Sequence, residues 1–242
     1  MRLDAVRRAL DGTLAAARER RGGSPPRVLD VGGGSGTLAV PLAAAGCTVT
    51  VVDPSPNALA TLHRRAAEAG VSDRITAVQG DADALRELVA PAAADLALAH
   101  GLLEVVEDPK NTVAAIAEAL APGGTVSVVV ANRHAAVLHR AVAGRLADAR
   151  ALLDDPAGHL PGESLLRRFD TDTLQRLLID AGLTVELVQG SGVLTDLVPG
   201  SVLELDPGAL ADLELRVATL APLRDVATRL HAMARTATGG PR

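Results

Sequence analysis

Val28-Leu29-Asp30-Val31-Gly32-Gly33-Gly34-Ser35-Gly36-Thr37-Leu38 decides the fold. Val28, Leu29 and Val31 have the apolar, β-rich character of a strand covered on both faces, and the run stops at glycine. Four glycines in five positions remove the Cβ atoms that would hold a ligand away from main chain, and they permit the positive φ of a sharp turn. Ser35 is placed to cap a helix that continues through Leu38, Val40, Leu42 and Ala45. The stretch is a strand, a glycine turn and a helix start, on which a nucleotide-like ligand can rest.

Spacing separates the ligands that such turns serve. A P-loop needs Gly, four residues, then Gly-Lys-Ser/Thr, and no lysine is present. A dinucleotide turn, counted from Gly32, puts Thr37 where the third small residue belongs. The spacing found is Asp30-x-Gly32-x-Gly34-x-Gly36, with an acid inside the strand. This resembles motif I of the class I S-adenosylmethionine-dependent methyltransferases; a nicotinamide site and a purely structural turn are the other readings of the same residues.

Working outward, Cys47–Val52 reads as a second buried strand ending at Asp53-Pro54. A carboxylate about 20 residues beyond the first glycine can accept hydrogen bonds from both ribose hydroxyls, and Asp53 stands at that distance. Its alternative role is to cap the helix beginning near Pro56. A third strand, Ile75–Val78, leads into Gln79-Gly80-Asp81-Ala82-Asp83. Resemblance to methyltransferases implies that Asp81 or Asp83 flanks an adenine, while one of the two caps a short helix at 84–89. Ala94–Ala99 is a fourth strand running into His100, at the edge of the sheet where ligands bind in open α/β folds. A helix reaches Leu120, Ala121-Pro122-Gly123-Gly124 ends it, and Thr125–Ala131 is a fifth, continuously apolar strand.

Strands alternating with helices at this spacing imply a doubly wound α/β fold. To these five, Leu183–Gln189 adds a sixth strand. The segment 228–234 adds a seventh, read as antiparallel, for a mostly parallel seven-stranded sheet with helices on both faces. An amphipathic helix over 3–21 precedes the first strand. Between the fifth and sixth strands the pattern gives a helix over 134–153, with Arg140, Arg145 and Arg150 on its polar side. A Pro/Gly/Asp-rich stretch and a helix over 169–181 capped by Asp170 or Thr171 follow it. Residues 206–220 read as helix. One domain over 1–242 is expected, with an N-terminal helix in 1–23, a cofactor core at 26–131 and an acceptor-facing part at 132–242.

Composition narrows the chemistry. The chain has 242 residues, 48% apolar and 22% charged, ordinary for a water-soluble globular protein. It has one phenylalanine, Phe169, and no Tyr or Trp, so neither a phenol acid nor an indole or phenol stacking platform exists. A single cysteine, Cys47, excludes an internal disulfide and a multi-cysteine metal site. No signal-peptide pattern or uninterrupted apolar span is read, so a cytoplasmic location and no membrane partner are expected. No metal is expected either.

The resemblance narrows further along the chain. His100-Gly-Leu-Leu-Glu-Val-Val-Glu-Asp-Pro109, the Asn132-x-His134 pair, the helix from Val137 to Gly144 and the segment 220–235 are similar to the tRNA 5-carboxymethoxyuridine methyltransferase family. That resemblance implies that Gly32, Gly33, Asp53, Ala82 and His100 contact S-adenosylmethionine, together with an arginine on the first helix, for which Arg2 fits. With the motif they give a cofactor set of Gly32, Gly33, Gly34, Gly36, Asp53, Pro54, Asp81, Ala82 and His100. Asn132 and His134 are the acceptor-side candidates. The chain departs from the family at Val105, where an aromatic is implied, and at Gly190-Ser191-Gly192-Val193, where an arginine is implied.

Those departures leave the cofactor half intact and bear on the acceptor. A net charge of -5 disfavours nonspecific nucleic-acid binding. RNA readers stack bases on aromatic rings, which are missing here. Against that, residues 132–150 hold four arginines and two histidines with one aspartate, and Arg167-Arg168 follows. Methyl transfer to an oxygen of a small metabolite is favoured over the tRNA wobble uridine, with a non-catalytic cofactor-binding protein as a third reading. A carboxylate acceptor needs no base, whereas a phenol or amine needs one, with His100, His134 and Glu104 as candidates.

Overall fold

The structure is a computed structural model that describes residues 5–239. Its elements, in chain order, are α1 (Ala5–Arg20), β1 (Arg27–Val31), α2 (Ala39–Ala44), β2 (Thr48–Asp53), α3 (Pro56–Glu68), β3 (Ile75–Gln79), α4 (Leu85–Leu88), β4 (Ala94–His100), α5 (Pro109–Ala119) and β5 (Leu120–Ala131). There follow α6 (Arg133–Val142), α7 (Leu146–Asp154), α8 (Thr171–Asp180), β6 (Thr184–Ser191), α9 (Gly200–Leu205), α10 (Pro207–Val217) and β7 (Arg229–Arg235).

The strands form one seven-stranded sheet in the order β3-β2-β1-β4-β5-β7-β6. The pairs from β3 through β5 are parallel, and β7 is antiparallel, as the sequence pattern implies, but it inserts between β5 and β6 and not at an edge. Chain order reverses between β1 and β4, so the crevice beyond their carboxyl ends is where this topology places ligands. Period-two alternation sends Leu29 and Val31 of β1 to one face, against Leu103, Ile116, Leu174 and Leu178. Val28 goes to the other, against Leu10, Leu14, Leu42 and Leu62 of α1, α2 and α3. Apart from Phe169, both layers are packed from aliphatic side chains, Cys47 and Met233.

Several boundaries differ from expectation for physical reasons. Ser35 caps no helix: Gly34 and Gly36 hold φ of +55° and +77°, the chain keeps turning, and α2 starts at Ala39. The expected helix over 134–153 is two, because Gly144 at φ +75° ends α6 and Arg145 starts a new turn. Phe169 lies before α8 in extended backbone that bridges Asn132, and Asp170 caps the helix through a reciprocal capping box with Thr173. The strand expected from Thr125 begins at Leu120, with a register irregularity between the Ala94 and Leu96 pairings. The helix α9 was not read from the sequence. Arg2, the expected first-helix arginine, lies outside the described residues.

Candidate active site

The glycine turn is shaped by what its missing side chains would strike. A Cβ on Gly33 would lie 2.5 Å from Asp30 Oδ2 and 3.0 Å from Val51 Cγ1, and one on Gly36 would overlap Leu62 of α3. Gly32 and Gly34 adopt φ of +71° and +55°, so the backbone of the turn faces the crevice bare.

Asp53 ends β2 and ties the turn down. Its Oδ2 accepts from the Gly34 amide at 2.9 Å and its Oδ1 from the Ser55 amide at 2.9 Å. The cap of α3 is Ser55, whose hydroxyl accepts from Ala58. Asp53 is therefore not the helix cap, and each of its carboxylate oxygens keeps a lone pair for a ligand hydroxyl. Asp30, on the same face of the sheet, is 3% exposed and accepts no hydrogen bond from the described residues. Burial, and secondarily the Asp53 carboxylate, push Asp30 up to about 7.

Beside the turn is a cavity of about 360 Å³ lined by Gly32, Val52, Pro54, Asp81, Ala82, Asp83, Leu102, Val105, Val106 and Glu107. Asp81 caps the 3-10 turn Ala82–Ala84 by accepting from the Asp83 amide, whereas α4, the short helix expected to be capped by one of the two, starts from Ala84 with no side-chain cap; Asp83 is exposed. The cavity has apolar walls from Val52, Leu102, Val105 and Val106, and carboxylates on one side. Of the expected cofactor set, Gly32, Pro54, Asp81 and Ala82 line it. Gly34 and Asp53 are joined to it through the turn, Gly33 and Gly36 shape that turn, and His100 stands outside. Leu102, Val105, Val106 and Glu107 lie in the His100–Pro109 stretch that carries the family resemblance but were not among the expected site residues.

The remaining candidates lie past the ends of β4 and β5. Glu104 occupies the ladder position that β4 vacates: its Oε1 accepts from the Ala131 amide at 2.7 Å, while its Oε2 is buried with no partner. Burial raises the Glu104 carboxyl, although the Ala131 bond, Arg229 and Arg167 oppose it. Asn132 is spent within the protein: its Nδ2 donates to Asp225 and Ala227 carbonyls and its Oδ1 caps α6 through the His134 amide. His134 is half-buried at the start of α6. The arginines expected to form a basic face are paired internally, Arg133 with Asp170, Arg140 and Arg168 with Glu163, Arg145 with Asp148 and Arg150 with Asp154. Arg167 donates to the carbonyls of Leu103, Val106 and Glu107. Among the described residues no cluster could hold a metal ion, and no helix is long and apolar enough to cross a membrane.

A model of the methyltransferase domain matches residues 3–188, and the chain belongs to that family. In family and fold it is a class I S-adenosylmethionine-dependent methyltransferase. It is 36% identical over 119 residues to the tRNA 5-carboxymethoxyuridine methyltransferase of Escherichia coli (strain K12), an overlap of 49% of this chain and 45% of that protein. The chain thus spans about half the length of that relative. It is 33% identical over 164 residues to the ubiquinone biosynthesis O-methyltransferase of Burkholderia pseudomallei (strain 1710b), covering 68% of this chain and 67% of the other. An S-adenosylmethionine-dependent methyltransferase from Mesorhizobium loti superposes with a TM-score of 0.63 at 20% identity, covering 96% of this chain and 97% of that one.

The residues present fit S-adenosylmethionine. Bare glycine backbone, a carboxylate at the tip of β2 with spare lone pairs, and an apolar slot edged by carboxylates match a ribose and a base.

Proposed function

We propose that this protein transfers a methyl group from S-adenosylmethionine to an oxygen, a carboxylate included, of a small metabolite or natural product. In this reading Gly32, Gly33, Gly34 and Gly36 offer the bare backbone, Asp53 accepts from the ribose hydroxyls, and Pro54, Asp81 and Ala82 line the base. His100, at the carboxyl end of β4, completes the cofactor set, and His134 belongs to the half facing the acceptor. Residues 26–131 form the cofactor core and residues 132–242 the acceptor side. When bound, the cofactor supplies an electrophilic methyl on a sulfonium. The chain's own part is to hold the acceptor oxygen in line and to exclude water, for which Leu102, Val105 and Val106 provide the apolar wall.

The observation that carries the small-molecule reading is the pairing of Arg133, Arg140 and Arg168 with partly buried carboxylates and of Arg167 with carbonyls. Cations already bound to carboxylates or carbonyls release few counterions to a phosphate backbone. The tRNA reading is kept alive by the 36% identity to the Escherichia coli protein. The test offers methyl-labelled S-adenosylmethionine with unfractionated tRNA in one arm and a nucleic-acid-free metabolite extract in the other. Label in small molecules, insensitive to salt, is the expected result. Label in RNA that mild alkali releases would overturn it in favour of a tRNA methyl ester, and cofactor binding with no transfer in either arm would overturn catalysis itself.

A further inference from the structure

Four adjacent strands contribute to one hydrogen-bonded row of polar side chains, buried except at the half-buried His100. The register places His100 of β4 beside Val129 of β5, Val129 beside His231 of β7, and His231 beside Gln189 of β6. Ser127, two residues from Val129 on the same face, bridges the two histidines. Gln189 Nε2 lies 2.8 Å from His231 Nδ1, His231 Nε2 lies 2.9 Å from Ser127 Oγ, and Ser127 Oγ lies 2.8 Å from His100 Nε2. Ser127 and His231 are fully buried and Gln189 is 5% exposed, so none has water as a substitute partner. His100 alone reaches the ligand edge.

Hydrogen counting gives the row a direction. An amide nitrogen only donates, so His231 Nδ1 accepts from Gln189. Burial keeps both histidines neutral, with His231, which also faces His100, pushed down to about 3 and His100, which also faces Arg229, to about 4. A neutral imidazole that accepts at Nδ1 carries its hydrogen at Nε2, so His231 donates to Ser127. The single hydroxyl hydrogen of Ser127 then goes to His100 Nε2. His100 must carry its own hydrogen on Nδ1, which has no partner among the described residues.

We propose that Gln189, His231 and Ser127 are positioning residues that lock His100 as its Nδ1–H tautomer, presenting a hydrogen-bond donor to an anionic or carbonyl oxygen at the ligand edge. The consequence for chemistry is direct. One nitrogen of His100 already accepts and the other already bears a hydrogen, so His100 takes no proton from an acceptor. It is a donor to a ligand oxygen and not the general base. This inference rests on the methyltransferase reading only in assigning His100 to the ligand edge.

The test starts without any ligand. Long-range proton–nitrogen spectra of histidine-labelled protein at neutral pH distinguish the tautomers, and His100→Gln identifies the signals of His100. The expected result is an Nδ1–H pattern for His100 and an Nε2–H pattern for His231. An Nε2–H pattern at His100, or an average of the two, overturns the proposal. Ser127→Ala cuts the row at its centre and should leave His100 averaging both tautomers. Calorimetry should then show S-adenosylmethionine binding weakened by roughly twofold, the cost of drawing an evenly averaged ring back to the donor tautomer. Ser127→Thr, which keeps the hydroxyl, should restore the single tautomer. A His100 pattern unmoved by Ser127→Ala also overturns the proposal. A locked His100 in wild-type protein that binds no S-adenosylmethionine would instead overturn the proposed function and leave the row standing.

Discussion

Replacing Asp30 by asparagine should stabilise the ligand-free protein at alkaline pH and lose that advantage as pH falls. The carboxylate is 3% exposed, accepts no hydrogen bond from the described residues, and faces Asp53. Its ordinary value of 3.8 is raised to about 7. Between those two values the folded chain holds a proton that the unfolded chain has released, so stability falls as pH rises through the window. The penalty is complete above the folded value. At about 1.4 kcal/mol per pH unit the ceiling is ~4 kcal/mol. The new amide must itself be buried, which costs about 1–3 kcal/mol where it lacks partners. A net gain of about 2 kcal/mol above pH 8 is therefore expected. Urea denaturation of wild type and Asp30→Asn from roughly pH 5 to pH 8.5 measures it, and subtracting the curves cancels every group the two proteins share. The difference should shrink by about 1.4 kcal/mol per unit below pH 7. A difference that is flat with pH, or a variant less stable at pH 8, would refute the assignment of the penalty to Asp30.

His100 and His231 act with the opposite sign. Both are held well below the ordinary 6.5, so stability is lost as pH falls from 6.5 toward about 4, where the unfolded chain binds protons that the folded rings refuse. His231→Gln should remove about half of that slope in urea midpoints, and an unchanged slope would count against the buried pair. Asp53→Ala deletes the acceptor of the Gly34 and Ser55 amides, so a loss of about 1–2 kcal/mol in stability is expected. Calorimetry should also show S-adenosylmethionine binding weakened at least roughly tenfold, the low end for one charge-assisted hydrogen bond. Undiminished affinity would displace the ribose from Asp53.

Much of the cofactor half was legible because its determinants are local. A strand that stops at glycines able to take positive φ, and an acid at the tip of the next strand, are separated by one helix whose length the apolar period fixes. The antiparallel last strand was also readable, from its position at the end of this fold type. What escaped the sequence was either a local break with no change in periodicity or a long-range register. Gly144 ends α6 while the Leu/Ala/Arg pattern runs on, so nothing but its φ reveals two helices. Ser127 and His231 meet across 104 residues, and Gln189 joins them across 42. Their contact follows from β7 inserting between β5 and β6 in one particular register, and a slip of one residue would send His231 to the other face. The pairing of Arg140 and Arg168 with Glu163 is hidden for a related reason. The sequence displays the cations as a cluster, and only the path of the 155–170 segment brings the carboxylate between them.

The acceptor half then divides by what its charges have left to give. Arginines 133, 140, 145, 150 and 168 are engaged with carboxylates, Asn132 is bound at both ends, and a His100 that donates from Nδ1 takes no proton. Glu104 Oε2 remains, buried and unpartnered, on a carboxyl that burial raises. An acceptor that arrives already ionised makes no use of that oxygen as a base, and transfer to it follows only the acceptor's own ionisation. An acceptor that arrives as a hydroxyl must lose its proton, and we propose Glu104, whose Oε2 has no partner, to receive it. The pH dependence of transfer therefore identifies the acceptor class before the acceptor is known. A rate that ignores the ionisation of Glu104 belongs to a carboxylate acceptor, and a rate that rises with it belongs to a hydroxyl.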